Sequence, residues 1–403
     1  MNTVTRPNVL MVVFDSLSAH DVRLHAGDLP TLCALFDRSL NFSDAYAPCP
    51  ESSPARASLF IGLDMAAHGV WTDGVALPNR DKTMPEVFAQ NGYHTWLVGR
   101  RHLAGVSHWT TEHARANEYD HFDWAHGALH RSRQNAYLMW LRKTAPDCYA
   151  RIFPQQANAD ATAIPQTQYD AMAALPDELS FNTWVAQQAC ARIGAAPFFG
   201  VIGFVAGQSM GATGASHDAL DPRALRQADA ALAETLKALP ENTVIALTAG
   251  RGSTNAAMSP LNEAAVNVPL ALCVPGGTAD EVAGAVSTID VASTLYAAAK
   301  LRPPQRLQGQ CLIANKPRGW ALCRLRHHDQ PHQTAFVDAR WKLVMIHGAA
   351  QSLSLFDLSN DPNEEQNLAD DPAHQDKLEE MMDQMIDARV ALEDRTEPRI
   401  ANF

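Results

Sequence analysis

Three apolar runs constrain the fold of this chain more than any other feature. They lie at residues 9–14, 197–204 and 243–248, and the first is bounded by polar residues on both sides. Runs without alternating polar positions are typical of strands buried on both faces, as in a parallel sheet. The segment 224–239 between the last two runs has the spacing of an amphipathic helix. We therefore predict an α/β fold in which helices sandwich a mostly parallel central sheet.

The composition is that of a globular protein, and its charge limits the partners. Of the 403 residues, 46% are hydrophobic and 19% are charged, and 32 basic against 44 acidic residues give a net charge of −12. This charge argues against nucleic acid and against anionic membrane surfaces as main partners. An anionic substrate is not excluded, since a local cluster of arginines can dominate the potential of a site.

The seven cysteines are scattered along the chain, and no pair has a C-x-x-C or other metal-binding spacing. Such a pattern favours buried thiols in a reducing compartment. The apolar run at residues 9–14 is too short for the core of a signal peptide or for a membrane span. We therefore expect a cytoplasmic protein without a membrane partner.

The segment 52–56, with the sequence SSPAR, has the features of a helix start. Pro54 favours the first helical turn, which places Ser52 where free backbone N–H groups attract anions. Arg56 adds a positive charge one turn further on. A hydroxyl, an anion-binding turn and a guanidinium in this arrangement suit the attack on a sulfate or phosphate ester. The alternative is an ordinary helix start with an incidental arginine.

The same segment resembles the Cys/Ser-x-Pro-x-Arg signature of the sulfatase family, within the alkaline phosphatase superfamily. In that family the first residue is oxidised to formylglycine, whose hydrated form attacks the sulfur. The resemblance implies that Ser52 either becomes formylglycine or remains a serine. It also implies catalytic roles for Ser52 and Arg56.

Two further segments resemble family motifs that hold the metal and the sulfate. Asp15, followed by Ser-Leu, resembles the first-strand motif whose Asp binds Ca²⁺ or Mg²⁺. Arg100 and His102, in the segment Gly-Arg-Arg-His-Leu, resemble the Lys and His of a Gly-Lys-Trp-His-Leu segment that contact the sulfate. Arg100 has the same positive charge as that Lys, but carries it on a planar guanidinium group. The resemblance thus implies that Asp15 is a metal ligand and that Arg100 and His102 are catalytic.

The resemblance runs from about residue 8 to residue 368 and implies a domain organisation. Residues 1–315 are expected to form the sulfatase-like α/β domain, in which 105–195 are a variable excursion over the sheet. Residues 316–403 are expected to form a small C-terminal α+β subdomain, made of an antiparallel sheet and a helix.

Three positions depart from the family pattern. Gln208 stands where relatives have the His of a Pro-His pair, and Gly250-Arg251 stands where they complete the metal site with Asp-His or Asp-Asn. One carboxylate, Asp15, with one neutral hydroxyl is a poor site for the Ca²⁺ or Mg²⁺ of the family. We infer that Arg251 occupies the vacated space and pairs with Asp15. Gln208 and Arg251 are predicted to contact the substrate.

Three hypotheses for the function remain, and each involves a small anionic ester or anion. The favoured one is a sulfatase-family protein that binds a sulfate- or phosphate-like anion near Ser52 but is impaired in metal-dependent hydrolysis. The second is an active sulfuric-ester hydrolase that uses formylglycine derived from Ser52. The third is a phospho- or phosphonate-ester hydrolase that uses Ser52 directly. The oligomeric state is left open, with a homo-oligomer among the options.

Overall fold

The computed structural model describes most of the chain, in nine segments. These are residues 6–105, 109–154, 164–194, 197–206, 220–253, 259–314, 316–327, 331–348 and 352–393. None of the helices in these segments combines the length and the apolar character that crossing a bilayer requires.

The described residues form the following strands and α-helices. The strands are β1 Asn8–Asp15, β2 Leu40–Asn41, β3 Ala45–Tyr46, β4 His94–Gly99, β5 His121–Trp124, β6 Phe198–Val205, β7 Thr243–Ala249, β8 Leu270–Cys273, β9 Asp280–Glu281, β10 Val286–Ser287, β11 Ala321–Leu325, β12 Gln333–Val337, β13 Trp341–Ile346 and β14 Ser352–Asp357. The helices are α1 Ala19–Leu24, α2 Pro30–Phe36, α3 Ser52–Ile61, α4 Met65–His68, α5 Met84–Gln90, α6 Ala136–Thr144, α7 Pro146–Ile152, α8 Gln166–Ala173, α9 Phe181–Arg192, α10 Pro222–Ala238, α11 Glu263–Val266, α12 Asp290–Ala298 and α13 Gln375–Ala391.

The main sheet is mostly parallel and is built around β1. Its strand order within the described residues is β5-β4-β6-β1-β7-β8-β2-β9. β1 pairs in parallel with β6 and β7, and β4 pairs in parallel with β5 and β6. β8 runs antiparallel to β7 and to β2. The carboxyl ends of β1, β4, β6 and β7 therefore meet at one edge of the sheet, where open α/β sheets bind their ligands.

Alternate residues of β1 enter two separate hydrophobic cores, one on each face of the sheet. On one face, Leu10 lies in the same core as Trp184 of α9. On the other face, Met11 lies in the core that contains Phe60 of α3 and Leu295 of α12. Burial on both faces is the reason why the sequence of β1 is continuously apolar.

A four-stranded antiparallel sheet follows the main sheet, with the order β11-β12-β13-β14. Met381 and Met385 of α13 share a core with Phe336 of β12 in this second sheet. A buried lysine ties this subdomain to the first part of the chain. Lys342 of β13 is fully buried and lies 2.9 Å from both Glu263 of α11 and Glu364.

The predicted fold class is confirmed: helices cover a mostly parallel sheet, and an antiparallel sheet forms a C-terminal subdomain. The boundary at residue 315 and the extent of the excursion at 105–195 stay predictions.

Candidate functional site

Loops that follow three parallel strands bring the predicted charged residues together. Asp15 is the last residue of β1, Arg100 directly follows β4, and Arg251 lies two residues beyond the end of β7. The N–H of Leu17 donates to the carbonyl of Arg251 at 3.1 Å, which joins the loops after β1 and β7. The carboxyl edge of the sheet is therefore the site.

Ser52 is the first residue of α3, a helix whose residues are all buried. The helix ends at Gly62, which has a left-handed φ of 67° and whose added Cβ would lie 2.3 Å from Leu307. Only glycine fits such a helix end. At the other end, Ser52 Oγ donates to Asp15 Oδ1 at 3.3 Å. The start of the helix thus lies against the end of β1.

Two buried arginines neutralise Asp15. Arg100 Nη1 donates to Asp15 Oδ2, and Arg56 Nη2 lies 3.5 Å from Oδ1. Burial raises the pKa of Asp15, but the charges of Arg100, Arg56, Arg251 and His102 outweigh it and hold that pKa well below its usual range. Burial lowers the pKa of Arg56 to about 10, so its guanidinium remains charged at neutral pH.

Arg251 does not take the place that the sequence suggested for it. It was expected to pair with Asp15, but its Nε donates to Ser52 Oγ at 3.3 Å and its Nη1 to the Gly252 carbonyl at 3.4 Å. Arg56 and Arg100 are the arginines paired with Asp15, because they reach the carboxylate from α3 and from the end of β4. The charge of Arg251 also lowers the pKa of Asp15.

Arg56 also fills the space that a side chain at position 250 needs. A Cβ added to Gly250 would lie 3.0 Å from Nε and 3.4 Å from Cγ of Arg56. Within the described segments, no three His, Cys, Asp or Glu side chains are grouped so that they could hold a metal ion. The described residues do not fit the Ca²⁺ or Mg²⁺ that the family implies, since the carboxylate of Asp15 is already paired with two cations.

His126, which the sequence interpretation missed, lies beside the predicted residues. Its Nε2 accepts a hydrogen bond from Arg100 Nη2 at 2.9 Å, and its ring lies edge-on to His102 with 4.6 Å between centroids. Because an arginine can only donate, Nδ1 of His126 carries the hydrogen. Burial, followed by the charge of Arg100, lowers the pKa of both imidazoles well below 6.5, so both are neutral. His126 lies two residues beyond the end of β5, within the segment 105–195 that the sequence analysis treats as a variable excursion.

Glu112 fixes the loop that carries His102. Its carboxylate accepts the backbone N–H of His102 at 2.8 Å and of Leu103 at 2.7 Å, and it also accepts from Arg101 Nη1 at 3.1 Å. His102 has a left-handed φ of 59°, which a non-glycine residue keeps only where its surroundings impose it. Glu112 is 1% exposed and supplies that constraint.

The site has a surplus of positive charge and of buried nitrogen atoms. Among the described residues, the charges of Arg100, Arg56 and Arg251 all act on the single carboxylate of Asp15. Within the same described segments, five buried nitrogens of Arg56, Arg100, His102 and His126 lack a hydrogen-bond partner: Arg56 Nε and Nη2, Arg100 Nε, His102 Nδ1 and His126 Nδ1. Buried polar atoms normally have partners, so these nitrogens are suited to an added acceptor. Gln208, the other predicted substrate contact, lies outside the described residues.

A buried histidine behind α3 gives a prediction for the pH dependence of folding. The N–H of Val70 donates to His68 Nδ1 at 3.0 Å, so Nε2 carries the hydrogen and donates to Ser58 Oγ at 2.9 Å. Burial, and then the charge of Arg80, lowers the pKa of His68 to about 3. Between pH 6.5 and about 3 the unfolded chain therefore binds a proton that the folded chain does not, and the free energy of unfolding falls as the pH falls.

We expect His68 to contribute up to about 1.4 kcal/mol per pH unit to this slope. Urea unfolding at several pH values measures it, and the slope should be shallower in His68→Gln. The control is His374→Gln, a half-buried histidine on the C-terminal subdomain, which should leave the slope in place. Equal slopes in all three proteins would contradict the assignment.

The fold and the site define a protein of the sulfatase and phosphonate hydrolase fold class. The family model described as Sulfatase matches residues 7–143, and the model described as N-sulphoglucosamine sulphohydrolase, C-terminal, matches residues 260–391. The chain belongs to the sulfatase family of the alkaline phosphatase superfamily.

Similar proteins cover almost the whole chain. An uncharacterised sulfatase of Escherichia coli strain K12, YidJ, is 26% identical over 95% of this chain and 87% of its own length. The phosphonate monoester hydrolase of Agrobacterium radiobacter has a similar structure, with a TM-score of 0.77 and 18% identity over 97% of each chain. A 2-O GAG sulfatase has a TM-score of 0.71 and 16% identity over 96% of this chain and 93% of its own. At these identities the solved structures establish the fold alone.

Proposed function

We propose that this protein binds a sulfate- or phosphate-like oxyanion beside Ser52 without a divalent cation, and that it does not hydrolyse sulfate esters by the metal-dependent route. The observation that carries the proposal is the pairing of Asp15 with Arg100 and Arg56. The carboxylate that resembles a metal ligand already has two cations, and position 250 supplies no second carboxylate.

The electrostatics of the site support oxyanion binding. A unit negative charge about 4 Å from a guanidinium gains roughly 4 kcal/mol of Coulomb energy at the effective dielectric constant of a protein surface, before the cost of desolvation. Arg100 and Arg251 add planar donor groups that match the oxygens of sulfate and phosphate. The buried nitrogens without partners described above supply further contacts.

The same contacts leave Ser52 a weak nucleophile. Its hydroxyl donates to Asp15 and accepts from Arg251. Asp15 is a poor proton acceptor because the surrounding charges hold its pKa well below its usual range. Arg251 withdraws electron density from the same oxygen. A serine hydroxyl without an effective base or a metal attacks an ester slowly.

The binding of inorganic sulfate, measured by isothermal titration calorimetry, tests this proposal. We expect saturable binding that EDTA and added Ca²⁺ leave unchanged. Arg251→Gln should weaken it about tenfold, a change of roughly 1.4 kcal/mol. The same variant should keep the unfolding free energy within about 1 kcal/mol of the parent, since Asp15 retains two ion pairs.

Arg226→Gln is the matched control, because Arg226 is exposed and pairs with Asp28 away from the site. It should leave sulfate affinity unchanged. Stabilisation by Ca²⁺, or rapid desulfation of an aryl sulfate by the purified chain, would contradict the proposal.

The chemical state of Ser52 separates the proposal from an active sulfatase. The Ser-x-Pro-x-Arg segment at the start of α3 is the observation that favours this second function. We expect mass spectrometry of the peptide that contains residue 52 to show an unmodified serine. A loss of two hydrogens there, together with aryl sulfate turnover, would instead indicate a formylglycine enzyme. A burst of product with an aryl phosphate alone would indicate a hydrolase that uses Ser52 directly.

A further inference from the structure

Arg100 has a second acceptor besides Asp15, and this acceptor is a histidine. Arg100 Nη1 donates to Asp15, and Arg100 Nη2 donates to His126 Nε2 at 2.9 Å. We propose that His126 is a positioning residue for Arg100, which fixes the plane of the guanidinium and thereby sets how tightly the site binds an oxyanion. The inference rests on the proposed function and adds to it a residue that acts through Arg100.

The register of the main sheet brings His126 to Arg100. β4 and β5 pair in parallel, with Gly99 opposite Trp124. Beyond this pair, the N–H of Ala125 donates to the carbonyl of Gly99 at 3.0 Å. Each of the two strands ends at the paired residue, so Arg100 and His126 follow at the same edge of the sheet. The two side chains therefore meet through the pairing of neighbouring strands.

Neighbouring rings hold the imidazole of His126 in place. It lies edge-on to the ring of His102, with 4.6 Å between centroids, and 6.4 Å from the ring of Trp124. One carboxylate binds both of these neighbours, since Glu112 accepts the backbone N–H of His102 at 2.8 Å and Nε1–H of Trp124 at 3.1 Å. Arg100 thus donates to an acceptor whose own position is fixed.

Fixing the plane of the guanidinium matters because of the chemistry of arginine. A guanidinium donates in directions set by its plane, whereas an ammonium is a point charge with rotatable donors. Asp15 binds Nη1 of Arg100 and His126 binds Nη2, so both terminal nitrogens are fixed. Nε of Arg100 is buried and has no hydrogen-bond partner among the described residues. Its N–H therefore keeps one direction, and an oxygen that accepts from it requires no further ordering of the side chain.

Two substitutions at His126 test this role by calorimetry with inorganic sulfate. His126→Phe keeps a ring against His102 and Trp124 but removes the acceptor, and it should weaken sulfate binding about tenfold, as the loss of a hydrogen bond to a charged group does. His126→Gln loses the ring but keeps an acceptor oxygen, and its Kd should stay within about twofold of the parent value. A role in packing alone predicts the reverse order. The matched control is His121→Phe at the exposed first residue of β5, which should leave the Kd unchanged.

The Arg100→Lys background shows whether His126 acts through Arg100. An ammonium at this position can pair with Asp15 and does not depend on a second acceptor to orient it. His126→Phe should therefore change the Kd for sulfate by less than about twofold in Arg100→Lys. In the parent, long-range ¹H–¹⁵N NMR spectra should show that the His126 imidazole carries its proton on Nδ1, which leaves Nε2 as the acceptor.

The outcomes separate this inference from the proposed function. If the parent binds sulfate and His126→Phe binds it equally well, or if the loss is as large in the Arg100→Lys background, the inference is overturned and the oxyanion site stands. A proton on Nε2 of His126, or an affinity lost in His126→Gln as fully as in His126→Phe, would overturn it in the same way. A parent protein that does not bind sulfate would contradict both.

Discussion

Asp15→Asn should lower the free energy of unfolding by roughly 3–5 kcal/mol, because it leaves two buried cations without their anion. Arg56 is fully buried and Arg100 is 8% exposed, so water cannot replace the lost carboxylate without opening the site. Chemical denaturation without sulfate measures the loss. Saturating sulfate should restore part of it, since the added anion then neutralises the same guanidiniums.

The comparison that isolates this effect is Asp177→Asn. Asp177 pairs with Arg223 at 2.7 Å, but its side chain is 70% exposed, and loss of such a pair should change stability by about 0–1 kcal/mol. If Asp15→Asn lowered the free energy of unfolding no more than Asp177→Asn, the buried pairing that carries the proposed function would be wrong. The same would follow if saturating sulfate restored none of the stability lost in Asp15→Asn.

Glu112→Gln should produce the second large effect, a loss of roughly 3–5 kcal/mol together with weaker sulfate binding. The substitution removes the charge that pairs with Arg101. An amide also has one acceptor oxygen where the carboxylate now serves two backbone N–H groups, those of His102 and Leu103. The strained backbone at His102 then relaxes, and the adjacent Arg100 loses its fixed position. Denaturation and sulfate calorimetry measure the two effects.

Glu118→Gln is the control that separates the loss of protein stability from the positioning of His102 and Arg100. Glu118 pairs with Arg101 through Nη2 at 2.6 Å and is as deeply buried as Glu112. Its other hydrogen bonds come from Thr83 Oγ1 and the N–H of Arg115, whereas the N–H groups of His102 and Leu103 donate to Glu112. Glu118→Gln should therefore lower the free energy of unfolding by a similar amount and leave the affinity for sulfate unchanged. If both variants weakened sulfate binding equally, the positioning role of Glu112 would be wrong.

The fold class could be predicted from the sequence because it depends on local patterns of apolar and polar residues. The continuous apolar run that ends at Asp15 marked a strand buried on both faces, and β1 is that strand. The motif residues Ser52, Arg56 and Arg100 lie at the same edge of the sheet. The reason is that the carboxyl ends of the parallel strands meet at that edge and that α3 begins there. Family membership, predicted from these motifs, is confirmed.

The ion pairs of Asp15 could not be predicted from the sequence, because they depend on how far each side chain reaches in three dimensions. Arg251 seemed to be the partner of Asp15 because it stands at a ligand position, yet Arg56 and Arg100 reach the carboxylate. His126 lies in an irregular segment where no motif marks it. The role of Gln208, the state of Ser52 and the cytoplasmic location stay predictions.

The close approach of Arg56 to Gly250 has a consequence for the engineering of a calcium site at this sheet edge. An aspartate introduced at position 250 would have its Cβ 3.0 Å from Arg56 Nε, so its carboxylate would pair with that guanidinium. Gly250→Asp alone would therefore not supply the carboxylate-rich shell of oxygens that Ca²⁺ requires. The two arginines paired with Asp15 would have to be replaced as well before the same residues could bind a divalent cation.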